Sequence, residues 1–382
     1  MHAPVLVIMS LHRSALLLCL FLHAANGGRL SPSAACSEAP TCDEAFYAFP
    51  LSAGVSLGLW QPARQPPLGS AFNATQALMM VHGTDRNADQ YLCWALQALA
   101  AAGRSAEDTV VIAPFFADAD DKVADGIIYW DLNLGWKEGN QSTAKLPRSF
   151  SSFEVMDAIV AALSDPALYP KMQRIVIAGH SAGGQFVSRY ALFGASSRSL
   201  VPQLSFVPAN PSSQPYLDAS RPNNLQQGGS CLPLSYCDNA TIPQFPFVFS
   251  VPPPPAAANC SSYDSWLYGL HALNPYTRNV TAAAAIQLLH QRLKVGMVRV
   301  LLGGADVCNE KFCPSCDSHD IDSGCEASLM GNCRLQRGWA YYRHLQQFYG
   351  DAQLPPPVTV PGVGHDACSM FTSPQGLLAL FG

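Results

Sequence analysis

Short apolar runs rich in β-branched residues alternate along the chain with longer stretches whose apolar residues recur at helical spacing. The short runs predict strands at residues 77–81, 109–114, 174–178, 204–208, 297–302 and 357–360. The longer stretches predict helices at residues 89–102, 153–164, 184–193, 280–294, 332–349 and 373–381. Because strands that alternate with helices usually form parallel sheets with crossover helices, this order predicts an α/β fold.

The chain has 382 residues, a length that by itself suggests two domains. No linker, charge run or internal repeat divides it, so we predict one folded domain over residues 45–382. A long irregular stretch, residues 209–279, is rich in Pro, Ser and Asn. Loops this long inside a compact domain are usually functional or disordered, so we interpret this stretch as an insertion.

The most informative motif is Gly179-His180-Ser181-Ala182-Gly183, which lies between a predicted strand and a predicted helix. A serine hydroxyl is a weak nucleophile and needs a tight strand-to-helix turn on which a base can reach it. The flanking glycines make room for such a turn, so the motif predicts a nucleophile elbow with Ser181 as the nucleophile. The alternative is a glycine turn with an incidental serine. His180 is predicted to be structural, with its side chain pointing away from Ser181.

Two later strands are followed by residues that complete a catalytic triad in the order serine, acid, histidine. Asp306 follows the run at 298–302, and His365 lies in a glycine-rich loop after 358–360. Groups at the carboxyl ends of strands gather at one edge of an open α/β sheet. His365 is the predicted base and Asp306 the predicted acid. Four other carboxylates in the same loop are alternatives for the acid: Glu310, Asp317, Asp320 and Asp322.

An oxyanion hole requires two backbone N–H donors. Ala182, the residue after the nucleophile, is the first candidate. The second is expected in a loop after an earlier strand, and the sequence His82-Gly83-Thr84-Asp85 follows the run at 77–81. We predict the N–H of Thr84 as the donor, with Asp85 as its alternative. A polar β-turn without a catalytic role is the competing interpretation.

Four motifs make the chain resemble the α/β-hydrolase superfamily, and within it secreted, uncharacterised fungal, plant and algal hydrolases. They are HGTDRNAD at 82–89, GHSAGGQFVSRYA at 179–191, PANPSSQPYLD at 208–218 and VPGVGHDACSMF at 360–371. The resemblance implies an eight-stranded, mostly parallel sheet with helices on both faces, and hydrolysis of an ester or related acyl bond. It also implies that the insertion at 209–279 forms part of a lid. The fold by itself supplies no substrate.

Aromatic side chains in two segments are candidates for binding the substrate. Trp130 and Trp136 lie in a polar loop, where ordinary packing is the alternative. In the insertion, four residues are candidates for apolar lid contacts, namely Tyr263, Trp266, Tyr268 and Leu270. Asp85 is a further candidate for contact with the substrate.

The N-terminal segment 1–27 has a weakly basic start, a short apolar core and small residues near its end. This pattern predicts a cleaved secretory signal, because the apolar run is too short to span a membrane. The alternative is an uncleaved signal anchor. After cleavage we expect no stable membrane insertion.

Of thirteen cysteines, Cys19 lies in the predicted signal, which leaves an even number for disulfides in an oxidising compartment. The close pairs Cys36/Cys42 and Cys231/Cys237 are candidates for small loops. A cluster after Asp306 also permits a zinc site through Cys313 and Cys316, although secretion favours disulfides there. We expect the disulfides to fix the loop that presents the acid.

Asn-X-Ser/Thr acceptor patterns are typical of secreted glycoproteins. They predict glycosylation at Asn73, Asn140, Asn239 and Asn279. The match at Asn259 is weaker because the next residue, Cys260, is itself a disulfide candidate.

The formal net charge is −5, and the sequence has no cluster of basic residues that would bind a nucleic acid electrostatically. No phosphate-binding loop or dinucleotide fingerprint occurs, so we expect no cofactor and no metal. The sequence therefore predicts a secreted serine hydrolase acting on a small-molecule or polymeric ester. The alternatives are a serine peptidase or lipase, and a catalytically silent binding or cell-surface protein with the same fold.

Overall fold

The computed structural model describes Cys36 and residues 40–131, 135–143, 147–194, 203–225, 241–253, 259–310 and 316–382. The predicted signal segment 1–27, Asn239 and the cysteines at 231, 237 and 313 lie outside these residues. Nothing described bears on the predictions made for them.

Ten strands occur in the described residues. In chain order they are β1 (Glu44–Ser52), β2 (Val55–Pro62), β3 (Gln76–Val81), β4 (Thr109–Pro114), β5 (Arg174–His180), β6 (Gln203–Ala209), β7 (Arg221–Pro222), β8 (Phe249–Ser250), β9 (Leu301–Gly303) and β10 (Val358–Val360). Eight of them form one sheet in the order β1-β2-β4-β3-β5-β6-β9-β10, and β7 and β8 pair separately. The six strands from β4 to β10 run parallel, and β2 is antiparallel to both β1 and β4. The predicted eight-stranded, mostly parallel sheet is confirmed.

All six strands expected from the pattern are present, whereas β1 and β2 were not predicted. Only one of the nine residues of β1 is buried, so this strand needs neither an apolar run nor a strict alternation of apolar and polar residues. The two strands are joined by Ala53 and Gly54, and Gly54 has a φ of 71°. A two-residue turn that ends in glycine is a hairpin signal, and it was the available clue to this edge of the sheet.

Eight α-helices lie in the described residues. They are α1 (Ala88–Ala101), α2 (Ser152–Leu163), α3 (Ala182–Phe193), α4 (Ala282–Lys294), α5 (Cys325–Ser328), α6 (Arg334–Tyr349), α7 (Ala367–Thr372) and α8 (Pro374–Phe381). A capping box fixes the start of α2, because the Ser151 side chain accepts a backbone N–H while Glu154 accepts the N–H of Ser151. No helix in these ranges is long and apolar enough to cross a membrane.

The sheet separates two apolar clusters, because successive side chains of a strand point to opposite faces. On β3, Ala77, Met79 and Val81 face the cluster that also contains α2, α3 and α4. Leu78 and Met80 face the cluster formed with α1, α7 and α8. Helices therefore cover both faces, as expected, and the carboxyl ends of the parallel strands are left to form a site.

Four disulfides join described cysteines: Cys36–Cys368, Cys42–Cys93, Cys260–Cys325 and Cys308–Cys316. The suggested Cys36/Cys42 pair is wrong, because the two residues bond to α7 and α1 instead. Cys316 is oxidised to a disulfide, so it is not a ligand in the zinc arrangement considered above. Its bond to Cys308 closes a loop two residues beyond Asp306, as expected for a disulfide that restrains the acid loop.

Candidate active site

Ser181 lies between β5 and α3 in a strained conformation, with φ 59° and ψ −119°. Positive φ is rare for a residue with a side chain and is found where the surrounding structure enforces it. Here a Cβ atom on Gly183 would lie 2.2 Å from the carbonyl oxygen of Val81, so only glycine fits. The N–H of Ser181 donates to Ala209 of the neighbouring strand at 3.0 Å. These contacts produce a sharp strand-to-helix turn, the geometry that the predicted nucleophile elbow requires.

His365 and Asp306 meet at the carboxyl ends of β9 and β10. His365 Nδ1 donates to Asp306 Oδ2 at 2.7 Å, and both side chains are buried. Burial lowers the pKa of His365, an effect that the hydrogen bond to Asp306 opposes and the charge of Arg334 reinforces. Of the five carboxylates considered from sequence, Asp306 is the one that contacts this imidazole within the described residues.

Arg334, the first residue of α6, fixes Asp306 from behind. Its guanidinium is completely buried and lies 3.5 Å from Asp306 Oδ1. It also donates to Ser212 Oγ at 2.9 Å and to the carbonyl oxygen of His319 at 2.6 Å. A buried cation needs such partners, since an unpaired one would be strongly destabilising. Arg334 thus ties the acid, the loop after it and the segment after β6 together.

Ser181 and His365 line one cavity of about 340 Å³. The cavity walls also contain Gly83, Thr84, Asp85, Asn87, Tyr91, Trp94, His180, Glu310, Asp317, His319, Asp320, Asp366 and Ala367. Within the described part of the chain, the Ser181 hydroxyl makes no hydrogen bond, to His365 or to any other group. Catalytic hydrogen bonds are often long before substrate binds, so the serine and the imidazole face the same space without yet being joined.

The loop after β3 is held rigidly beside the elbow. His82 is buried, accepts the N–H of Phe116 at 3.0 Å through Nε2 and donates to Gly83 through Nδ1. Burial lowers its pKa to about 4, so it is a neutral structural group at ordinary pH. Arg86 has a φ of 58° and binds Asp118 and Asp121 at 3.0 and 2.7 Å. Thr84, on the tip of this loop, is exposed towards the cavity.

A second, smaller cavity of about 50 Å³ adjoins the first. Thr84 and Ala182, the two predicted oxyanion donors, both line it, together with Trp136 and Lys137. The two predicted donors therefore line one small space, which shares Thr84 with the larger cavity.

His180 contradicts the expectation that its side chain points away from the site. Its ring centroid lies 4.4 Å from that of His365, and it lines the same cavity as Ser181. The turn at Ser181 leaves the strand register, so neighbouring residues of the motif no longer point to opposite sides. Burial holds the pKa of His180 well below its ordinary value, so this ring is neutral against the face of His365.

Asn210 is a site residue that sequence reasoning missed. It follows β6 with a φ of 45° and is completely buried. Its Nδ2 donates to His180 Nε2 and to the carbonyl oxygen of Gly364, both at 3.2 Å. Its Oδ1 accepts the N–H of Gly303 at 2.6 Å. One carboxamide thus joins the strand before Ser181, the strand before Asp306 and the loop of His365. Its sequence signals were an Asn, which tolerates positive φ, directly after a strand, and its place in the motif PANPSSQPYLD at 208–218.

A profile of the alpha/beta hydrolase family matches residues 78–380, which is most of the chain. The chain belongs to the alpha/beta hydrolase family. Two solved structures share its fold: poly(aspartic acid) hydrolase-1 from Sphingomonas sp. KT-1 and a poly(3-hydroxybutyrate) depolymerase from Bordetella parapertussis. The first has 20% identity and a TM-score of 0.53 over 87% of this chain and 97% of its own. The second has 19% identity and a TM-score of 0.53 over 88% and 90%.

No curated protein matches the chain. Family membership supports hydrolase activity for this alpha/beta hydrolase, and the likeness to solved structures at such low identity concerns the fold alone.

The three tryptophans predicted to bind substrate have different positions in this alpha/beta hydrolase. Trp130 is completely buried, and its Nε1 donates to the carbonyl oxygen of Asn140 at 3.0 Å, which favours the alternative of ordinary packing for this residue. Trp136 lines the smaller cavity. Trp266 packs on Phe193, donates to a backbone carbonyl of residue 138 and lines neither cavity. Asp85 lines the larger cavity, as expected of a substrate contact.

The described part of the insertion at 209–279, which was predicted to form part of a lid, packs away from the two cavities. None of its described residues lines either of the two cavities. Trp266, Tyr268 and Leu270 pack instead against the core cluster that contains α2 and α3. Arg221 Nη2, which is buried, donates to the carbonyl oxygens of Tyr263 and Tyr268 at 2.7 and 3.1 Å. This buried hydrogen bonding ties two parts of the insertion to each other.

The acceptor asparagines differ in accessibility. Asn73, Asn259 and Asn279 are exposed. Asn140 is half-buried, and its Nδ2 donates to Glu138 at 2.9 Å. A glycan on that nitrogen would take one of its two hydrogens, so the geometry favours the exposed sites over Asn140. Cys260 is in a disulfide, as suspected for the weaker match at Asn259.

We expect Asn210→Gly to lower the free energy of unfolding by about 2 kcal/mol, because Gly303 and Gly364 would lose their buried partners. Glycine accepts positive φ, so the variant isolates the side chain from backbone strain. Urea unfolding measures the change, and Asn223→Ala, which removes an exposed amide, is the control. A change equal to that of the control would contradict the linking role.

Proposed function

We propose that this alpha/beta hydrolase is a secreted serine esterase that works through an acyl-enzyme. The observation that carries the proposal is the 2.7 Å contact between His365 and Asp306 in a cavity shared with the strained Ser181. A carboxylate on Nδ1 leaves Nε2 of the imidazole free to accept a proton, which is what a serine nucleophile needs.

The proposed reaction has two halves. Ser181 Oγ attacks the acyl carbon while His365 Nε2 takes its proton, and the N–H groups of Ala182 and Thr84 bind the oxyanion. The imidazolium, stabilised by Asp306, returns the proton to the departing alcohol, which leaves an acyl-Ser181. Water then attacks the acyl carbon with His365 again as base, and this releases the acid and restores the serine.

The disulfides and the predicted signal support secretion. Four disulfides in the described residues are typical of an oxidising compartment. The exposed acceptors Asn73 and Asn279 support a glycoprotein.

The size of the smaller cavity supports a short acyl group. Because both predicted oxyanion donors line this cavity, we place the carbonyl oxygen and the acyl chain of the substrate in it. The smaller cavity has a volume of about 50 Å³, which holds roughly four water-sized groups, and Trp136 forms part of its wall. This favours an esterase for short acyl chains over a lipase.

Labelling with a fluorophosphonate tests the activated serine without knowledge of the substrate. We expect the wild type to be labelled, Ser181→Ala to lose labelling and His365→Ala to slow it by at least about a thousandfold. Ser105→Ala and His271→Ala, at exposed positions, are the matched controls. Absence of labelling in the folded wild type would favour a catalytically silent binding protein.

A series of p-nitrophenyl esters tests the acyl cavity. We expect kcat/KM for acetyl and butyryl esters to exceed that for octanoyl esters by about tenfold or more, because the longer chain does not fit. Trp136→Phe should shift the preference towards longer chains. Trp130→Phe, a buried tryptophan that lines neither cavity, is the control. An optimum at eight or more carbons would instead indicate a lipase.

The pH dependence tests His365 as the base. Burial and the charge of Arg334 place its pKa below the ordinary 6.5, and the base works only when neutral. We therefore expect kcat/KM to reach its plateau by neutral pH and to fall as the pH drops through this lowered pKa. The measurement is the pH profile for a neutral ester. A half-maximal rate above about pH 7 would be incompatible with this assignment.

A further inference from the structure

The described walls of the larger cavity are rich in carboxylates. Five carboxylates line it, at Asp85, Glu310, Asp317, Asp320 and Asp366. Among the described residues that form its walls there is no lysine or arginine, and the three imidazoles belong to His180, His319 and His365. The nearest buried cation, Arg334, is paired with Asp306 behind His365 and does not line the cavity.

These carboxylates differ in how they are held. Three accept backbone N–H groups: Glu310 from Ser318, Asp317 from His319, and Asp366 as the cap of α7. Asp85 and Asp320 make no hydrogen bond or ion pair within the described residues. Among the described residues no lysine or arginine forms an ion pair with either carboxylate, although Asp320 interacts electrostatically with the buried Arg334. Their charge therefore acts largely on whatever occupies the cavity.

Two further observations indicate a ligand in this space. The Ser181 side chain is only 8% exposed, and its hydroxyl faces the cavity without a hydrogen-bond partner. Tyr91 and Trp94 form part of the same wall, with ring centroids 5.0 Å apart in an edge-to-face arrangement. Aromatic faces and carboxylates together attract cations, whereas an anion gains nothing from either.

We propose that the larger cavity binds the alcohol portion of the ester and selects alcohols that carry a positive charge, such as a quaternary ammonium or a protonated amine. This proposal rests on the proposed function, because the smaller cavity takes the acyl group and leaves the larger one for the leaving alcohol. Anionic substrates are disfavoured at the same site. A polyanion such as poly(aspartic acid), named for one structural relative, therefore does not suit this cavity.

The test uses three covalent probes that differ only in the leaving group. They are diethyl phosphorothiolates whose leaving thiols end in a trimethylammonium, a tert-butyl or a carboxylate group. The second-order rate of Ser181 modification needs no turnover of a true substrate. We expect the cationic probe to exceed its neutral isostere by about tenfold at low salt, and the anionic probe to be slowest.

Salt and charge-removing variants identify the cause. At about 0.5 M salt the screening length is roughly 4 Å, so the preference for the cationic probe should shrink. Asp320→Asn and Asp85→Asn should each reduce the ratio of cationic to neutral rates about threefold. Asp125→Asn removes one exposed carboxylate outside both cavities and should leave the ratio unchanged.

The outcomes separate this inference from the proposed function. Equal rates for the cationic and neutral probes, or a ratio insensitive to Asp320→Asn and Asp85→Asn, would overturn the charge selectivity while leaving the serine hydrolase intact. Failure of all three probes to modify Ser181 would overturn both.

Discussion

The carboxamide of Asn210 is the interaction on which the geometry of the site depends. The candidate triad comes from three loops that are distant in sequence, and each loop leaves a different strand. Asn210 hydrogen-bonds to a group beside each of them: His180, Gly303 and Gly364. An aspartate of the same shape lacks the two hydrogens that this arrangement uses, and a smaller side chain leaves buried backbone groups without partners. Asn210 adopts a positive φ of 45° in order to make these three hydrogen bonds.

A second constraint is the burial of Arg334 behind the acid. A buried guanidinium without partners is very unfavourable. Movement of Asp306, of Ser212 or of the carbonyl oxygen of His319 away from Arg334 would leave its charge unpaired, so these groups are held in place. Burial is the main cause of the lowered pKa of His365, and the same positive charge adds to it. Arg334 therefore stabilises the acid loop and keeps the base neutral, two effects that a neutral residue would not supply together.

How much the sequence predicts depends on whether the signal is local. The six strands of the parallel part, the elbow at Ser181 and the His365–Asp306 pair follow from runs and motifs a few residues long. The contacts of Asn210, the packing of His180 against His365 and the disulfide partner of Cys36 involve residues far apart in the chain, so no local pattern encodes them. Trp130 shows the converse: its polar neighbours suggested a surface loop, yet tertiary packing buries it.

The charges around His365 are arranged asymmetrically, and this affects the proposed chemistry. Arg334 lies behind Asp306, whereas Asp317, Asp320 and Asp366 line the space in front of the imidazole. At rest the burial of the ring dominates, and the base is neutral. When His365 accepts the serine proton, the new positive charge is stabilised by Asp306 at contact distance and by the carboxylates in front at longer range. An acidic cavity thus stabilises the imidazolium of the transition state as well as a cationic leaving alcohol. The effect of these carboxylates is electrostatic. They therefore favour proton transfer to His365 for every ester, and they discriminate only among esters whose alcohol portion is charged.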